Sequence, residues 1–155
     1  MNMAILSQNQ FTITTLKGTL DSGSSITCQY YSVDPAVLIE AGEFVVLADV
    51  TAATAPAVSV VEKGMAKSDK YLGMVLTNPL KQYWASGEKL EVAILGTIAM
   101  VETSAAVAAG ASLAYDPATK QVAAAGGGES VVGLAMEKAP ASGTLIRALI
   151  QTIFA

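Results

Sequence analysis

The sequence predicts an all-β fold: a compact β-barrel or sandwich of short antiparallel strands, preceded by an N-terminal arm. Three observations carry this. A frame recurs in which an apolar run reaches Ala-Gly or Ser-Gly, turns, and resumes as another apolar run. It stands at Ala41-Gly42, Ser86-Gly87, Ala109-Gly110 and Ser142-Gly143. Glycine suits a turn that needs positive φ, and the β-branched and aromatic flanks suit pleated strands. Second, strand-like runs recur every 8–12 residues or so with turn signals between them, as in a barrel or sandwich. Third, helix signals are weak: only the alanines at 105–109 suggest a short helical turn, and Gly110 ends it.

The elements follow in order. Residues 1–22 read as an N-terminal arm or first strand, in which the β-prone run Phe11-Thr12-Ile13-Thr14-Thr15-Leu16 is too short to stand alone and must pair with a sheet edge. Residues 23–155 read as one β domain. Strands are expected at 26–33, before Asp34-Pro35, and on both sides of the first Gly corner, at 37–40 and 44–50. Another lies at 57–63, ahead of the charged turn Lys67-Ser68-Asp69-Lys70. Residues 71–76 contain Gly73, which permits a bulge, and Asn78-Pro79 breaks the strand. Gly96 divides 90–95 from 97–101. Later strands fall at 112–115, 120–123, 130–137 and 144–154. Asp116-Pro117-Ala118-Thr119-Lys120 is a hairpin turn, and Gly126-Gly127-Gly128 a loop tip.

Composition narrows the function. Of the 155 residues, 52% are hydrophobic and only 14% charged, against about 25% charged in ordinary domains. The excess is alanine, valine and leucine, so part of the surface is expected to be buried against other molecules. No apolar run reaches the roughly 18 residues of a spanning helix, so no membrane is expected as a partner. Residues 1–10 lack the pattern of a signal peptide, which points to synthesis in a cytoplasm. The single Cys28 fits a reducing compartment and reads as a small buried hydrophobe. A net charge of −4 with nine scattered basic residues argues against nucleic acid as a direct partner.

Catalytic chemistry is poorly provided for. The chain has no histidine, which removes the commonest general base and metal ligand. Neither a Ser-His-Asp set nor a conventional zinc site can be assembled. No enzyme activity, cofactor, metal or small-molecule substrate is expected. The carboxylates read as solvated surface charges; a buried pair, as in a glycosidase, is the competing reading. Ser86-x-x-Lys89, Gly87-Glu88-Lys89 and Gly126-Gly127-Gly128 each match fragments of catalytic or phosphate-binding motifs, and each reads as a turn. The doublets Tyr30-Tyr31 and Tyr83-Trp84 are more informative. Side chains alternate along a strand, so one ring of each pair enters the core and the other lies outside.

From residue 64 to 151 the landmarks run Gly73-Met74-Val75-Leu76, Tyr83-x-x-Ser86-Gly87-Glu88 and Val92-Ala93-Ile94-Leu95-Gly96. They continue with Ala108-Ala109-Gly110-Ala111, Tyr115-Asp116, Val132-Gly133-Leu134-Ala135-Met136-Glu137, Ala141-Ser142-Gly143 and Ile146-Arg147-Ala148-Leu149-Ile150. This order resembles the capsid decoration, or structural cement, proteins of tailed bacteriophages. The resemblance implies a β-rich body that forms a homotrimer on the outside of an icosahedral head. There it would bridge major capsid proteins after expansion, in a virion assembled in the host bacterial cytoplasm. The contact residues are placed on the arm, at Gln8, Phe11, Ile13 and Leu16, and on whichever rings of the two doublets face outward, the candidates being Tyr31, Tyr83 and Trp84. The competing reading is a carbohydrate-binding or fibre-type module in which Tyr83 and Trp84 stack on sugars.

Overall fold

The computed structural model describes residues 17–18, 38–48 and 60–152, and 28–33 through their backbone. Twelve strands and no helix occur among them. They are β1 Cys28–Val33, β2 Ile39–Glu40, β3 Phe44–Leu47, β4 Val60–Lys63, β5 Tyr71–Val75 and β6 Tyr83–Trp84. After these come β7 Lys89–Ala93, β8 Ile98–Glu102, β9 Ser112–Asp116, β10 Gln121–Ala124, β11 Val131–Ala135 and β12 Leu145–Ile150. The fold is all-β, as the sequence predicts. The helical turn expected at 105–109 is absent. Val107 instead pairs with Ala139, each N–H donating to the other's carbonyl at 2.9 Å, and this tertiary ladder outweighs alanine's helix propensity.

The strands form two main sheets. β1, β4, β3, β5 and β7 close into a barrel, mostly antiparallel, with β1 and β4 parallel through Ser32–Val60 and Val33–Val61. The remaining strands form an open five-stranded sheet in the order β10-β9-β11-β12-β8. A small two-stranded sheet pairs β2 with β6. The glycine in β5 does what its position predicts: the β3–β5 register skips a residue between Val45–Gly73 and Val46–Tyr71. A Cβ on Gly73 would lie 2.1 Å from the Ala93 carbonyl oxygen, so its absence lets β5 and β7 approach.

Two apolar clusters organise the body. On one face of the barrel strands, Val45, Val61, Val75, Leu90 and Val92 pack with Ile39, Ala41 and Trp84 from the small sheet. On the other face, Phe44, Tyr71 and Met74 pack against the inner side chains of the open sheet, among them Val101, Leu113, Tyr115, Ile146 and Ile150. The rings of Phe44, Tyr71 and Tyr115 meet at centroid distances of 5.1–6.2 Å, with Tyr71 edge-on to both partners, a favoured geometry. Burial raises the pKa of both tyrosines, so they stay neutral here. The Tyr71 hydroxyl donates to the Ala66 carbonyl at 2.7 Å.

The recurring Gly frame is a type II turn. Gly42, Gly87, Gly110 and Gly143 all have φ between 75 and 87°, the third-position conformation that excludes most side chains. Where glutamate follows, the turn gains a clamp. Glu43 and Glu88 each return a carboxylate oxygen to the N–H three residues back, both at 2.6 Å. Glu129 does the same after the third glycine of Gly126-Gly127-Gly128, at 2.7 Å.

Candidate contact surfaces

The β2–β6 pair sorts the Tyr83-Trp84 doublet. Ile39 stands opposite Trp84, and Glu40 opposite Tyr83. Trp84 turns inward at 4% exposure, while Tyr83 is 52% exposed. One ring in and one out is what alternation requires. Trp84 is therefore corrected as an exposed anchor or sugar platform: its ring belongs to the core with Ile39 and Leu90. Two further apolar side chains accompany Tyr83 on this excursion of the chain. Leu38 is 55% exposed and Leu80 96% exposed. Leu80 is held out on a turn, where its N–H donates to Asn78 Oδ1 at 2.9 Å. Ion pairs flank the patch: Lys81 with Glu88 at 2.6 Å, and Lys120 with Glu40 at 3.1 Å. Lys81 and the Ala85 N–H hold the Glu88 carboxyl below its usual range. Exposed apolar side chains interspersed with charged pairs are the composition of a protein contact.

Behind the patch lies a buried charge, which corrects the reading of every carboxylate as a solvated one. Glu43 is 3% exposed. Its Oε2 accepts the Glu40 N–H, and its Oε1 meets Lys63 Nζ at 3.3 Å and Lys120 Nζ at 3.7 Å. The Glu40 hydrogen bond is the main cause of a raised Lys120 pKa. Both oxygens of Glu43 are occupied, so it is arranged as a brace between the first Gly corner and the β9–β10 turn. Among the described residues no group of three or more acidic, His or Cys side chains could hold a metal ion.

The open sheet supplies a second surface. Its inner residues alternate with outer ones, and the register aligns the outer ones across strands. Ser112, Leu134, Leu149 and Ile98 form one row over β9, β11, β12 and β8. Beside it, Arg147 lies between Met100 and Met136 and pairs with Glu137 at 3.2 Å. Leu134, Leu149, Ile98 and Met100 are half-buried and Met136 is exposed. A third, smaller feature is an open groove on the barrel side, where exposed Leu47 and Met65 lie among Glu62, Lys63, Asp69 and Lys70.

A family model described as phage cement protein matches residues 27–150. The chain belongs to the phage cement proteins. Among solved structures, it is similar to the head fiber gp8.5 N base of bacteriophage phi29, with a TM-score of 0.54 and 12% identity. That likeness, one of fold, spans 84% of this chain and 98% of the other. No curated protein matches. The resemblance read from the turn and strand landmarks therefore holds at family level, and the cement protein is a structural component associated with the phage capsid.

Of the contact residues expected from the sequence, Tyr83 alone is placed on the described surface. Gln8, Phe11, Ile13 and Leu16 lie outside the described residues. Tyr31 stands opposite Leu90 in the β1–β7 ladder, and its side chain is likewise outside them. Lys17 and Gly18, inside the segment read as an arm, are docked on the cement protein's body. Gly18 N–H donates to the Met100 carbonyl at 2.8 Å, and its own carbonyl accepts from Thr77 N–H at 3.0 Å. Sequence reasoning missed the Leu134–Leu149–Ile98 row, because cross-strand register is not written in any one strand. The available signal was that strands 131–135 and 145–150 carry apolar residues at both parities.

Proposed function

We propose that this cement protein binds the outside of an icosahedral phage head as a homotrimer and stabilises the shell by bridging major capsid proteins. Family membership carries this reading. The surface supports it: exposed Leu38, Leu80 and Tyr83, interspersed with ion pairs, suit a contact with the shell that includes an aromatic anchor. Stabilisation then follows from mass action, because a ligand of the assembled lattice alone favours the assembled state. Three linked copies multiply weak single contacts. The test is co-sedimentation with heads lacking the protein. Tyr83→Asp together with Leu80→Asp should weaken binding at least tenfold while the chain stays folded. Equal binding by this variant would remove the patch from the contact. Sedimentation in solution should show a trimer, and a stable monomer at high concentration would contradict the trimeric form.

The likeness in fold to a head fiber base favours a second reading, a fibre-type module on the virion surface. Copy number separates the two. A cement protein saturates a repeating lattice position, whereas a fibre base occupies a small set of sites. The sugar-stacking form of this reading loses Trp84, which is buried.

A further inference from the structure

Among the described residues, every positive φ belongs to glycine except one. Lys120, the last residue of the β9–β10 turn, has a φ of 58°. That conformation is disfavoured once a Cβ is present, and glycine adopts it freely. The turn itself makes no use of the lysine side chain. Lys120 N–H donates to the Asp116 carbonyl at 2.8 Å, and Ala118 N–H to Asp116 Oδ1 at 2.9 Å. Backbone strain of this kind directs attention to what the side chain does elsewhere. The Lys120 ammonium leaves its own hairpin, donates to Glu40 Oε2 at 3.1 Å and lies 3.7 Å from Glu43 Oε1. Glu40 is the informative end of this contact. It stands opposite Tyr83 in a sheet of two residues per strand, a length that is marginal by itself. Ile39 and Trp84, the other residues of the pair, are buried, so Glu40 and Tyr83 share the opposite face as cross-strand neighbours. Packing does not back this small sheet against the open sheet. A cavity of about 170 Å³ is lined by Glu40, Ala41 and Gln82 together with Glu102 and Leu145 of the open sheet. Lys120 reaches from one sheet to the other.

We propose that Lys120 is the positioning residue of the Tyr83 patch: its ammonium, by holding Glu40, fixes the β2–β6 pair and with it the ring that Tyr83 presents. The pair is partly sheltered and Glu43 adds a second carboxylate, so its effect is modest but exceeds that of an exposed surface pair. The use of this positioning in binding rests on the shell-contact reading above. The positioning itself is a property of the free chain.

The test measures amide hydrogen exchange in the full chain. Lys120→Gly relieves the strained backbone and Lys120→Met keeps it, so the two share only the loss of the ammonium. In both, the Ala41 N–H, which donates to the Gln82 carbonyl at 2.9 Å beside the pair, should exchange at least threefold faster. The amides of β9 and β10 should keep their parental rates. Glu40→Met should accelerate Ala41 likewise, and Lys120→Met plus Glu40→Met no further, because each removes the same contact. Unchanged exchange at Ala41 overturns the proposal. So does equal acceleration across β9 and β10, which would confine Lys120 to its own turn, and so do additive effects in the double variant. On heads lacking the protein, Lys120→Met should bind at least threefold more weakly than the parent. Parental binding by Lys120→Met, with Tyr83→Asp plus Leu80→Asp impaired, overturns the positioning role and leaves the shell contact standing. The exchange rates need no heads, so a failure of the shell contact, seen as parental binding by Tyr83→Asp plus Leu80→Asp, is told apart from a failure of this proposal.

Discussion

The barrel and the open sheet share one core yet differ in how they finish their surfaces. In the barrel, neighbouring residues of a single strand serve two clusters: Phe44 faces the open sheet, while Val45 packs with Trp84 and Leu90. Closure also removes the sheet edge, the usual liability of β structure. The open sheet commits only its inner face to the shared core. It leaves an apolar row outside and a terminal strand, β8, gripped at Gly18. The difference teaches that the barrel strands are packed on both faces, whereas the open sheet is packed on one and leaves an outer row that is only half-buried.

The largest expected effect breaks the joint between the two. Phe44→Ala should cost about 3–5 kcal/mol in denaturant unfolding, because its ring touches both Tyr71 and Tyr115. Wild type should unfold in one transition, and two separate transitions would show the regions to be independent. Gly73→Ala acts on the barrel alone. The Cβ collides with the Ala93 carbonyl, and the expected loss is about 1–3 kcal/mol, with amide protection falling in β5 and β7 before β11 and β12. Glu43→Gln removes the charge that Lys63 and Lys120 share and should cost about 1–2 kcal/mol, read from the same unfolding curves.

The smallest effect is the pH dependence of surface clamps. The Glu88 and Glu129 carboxyls are held below their usual range, by Lys81 and by the Gly126 N–H respectively. Their contribution is therefore complete above the ordinary glutamate value of about 4.3 and is lost as pH falls through the lowered one. Glu129 and Asp116 raise the Lys67 pKa, and Glu40 raises that of Lys120. Those contributions hold below the ordinary lysine value of about 10.4 and fade as pH rises through the raised ones. The melting temperature should be flat between these limits and decline modestly outside them. In Glu129→Gln the acid decline should shrink.

Much of this was legible in the sequence because it is local. The Gly-x turns, the Lys67–Lys70 and Asp116–Lys120 turns, the Gly73 bulge and the break at Asn78-Pro79 each depend on a few neighbouring residues. Family resemblance was legible for the same reason, since its landmarks are these turns. Long-range facts were not. Closure of five strands into a barrel depends on the parallel β1–β4 pairing, which no pattern within either strand announces. Trp84 and Tyr83 were known to face opposite ways, but which ring faces the core depends on Ile39, more than forty residues away. Burial of Glu43 follows from Lys63 and Lys120 converging on it, and the outer Leu134–Leu149–Ile98 row from the register of three strands.

The cement role itself is tested most directly by heating heads that lack the protein and following release of their DNA, with and without added full-length chain. The account predicts that saturating amounts of the chain raise the release temperature by several degrees, and that the Tyr83→Asp plus Leu80→Asp variant does so less. Release at the same temperature, under conditions where the chain is seen to be bound, would contradict it.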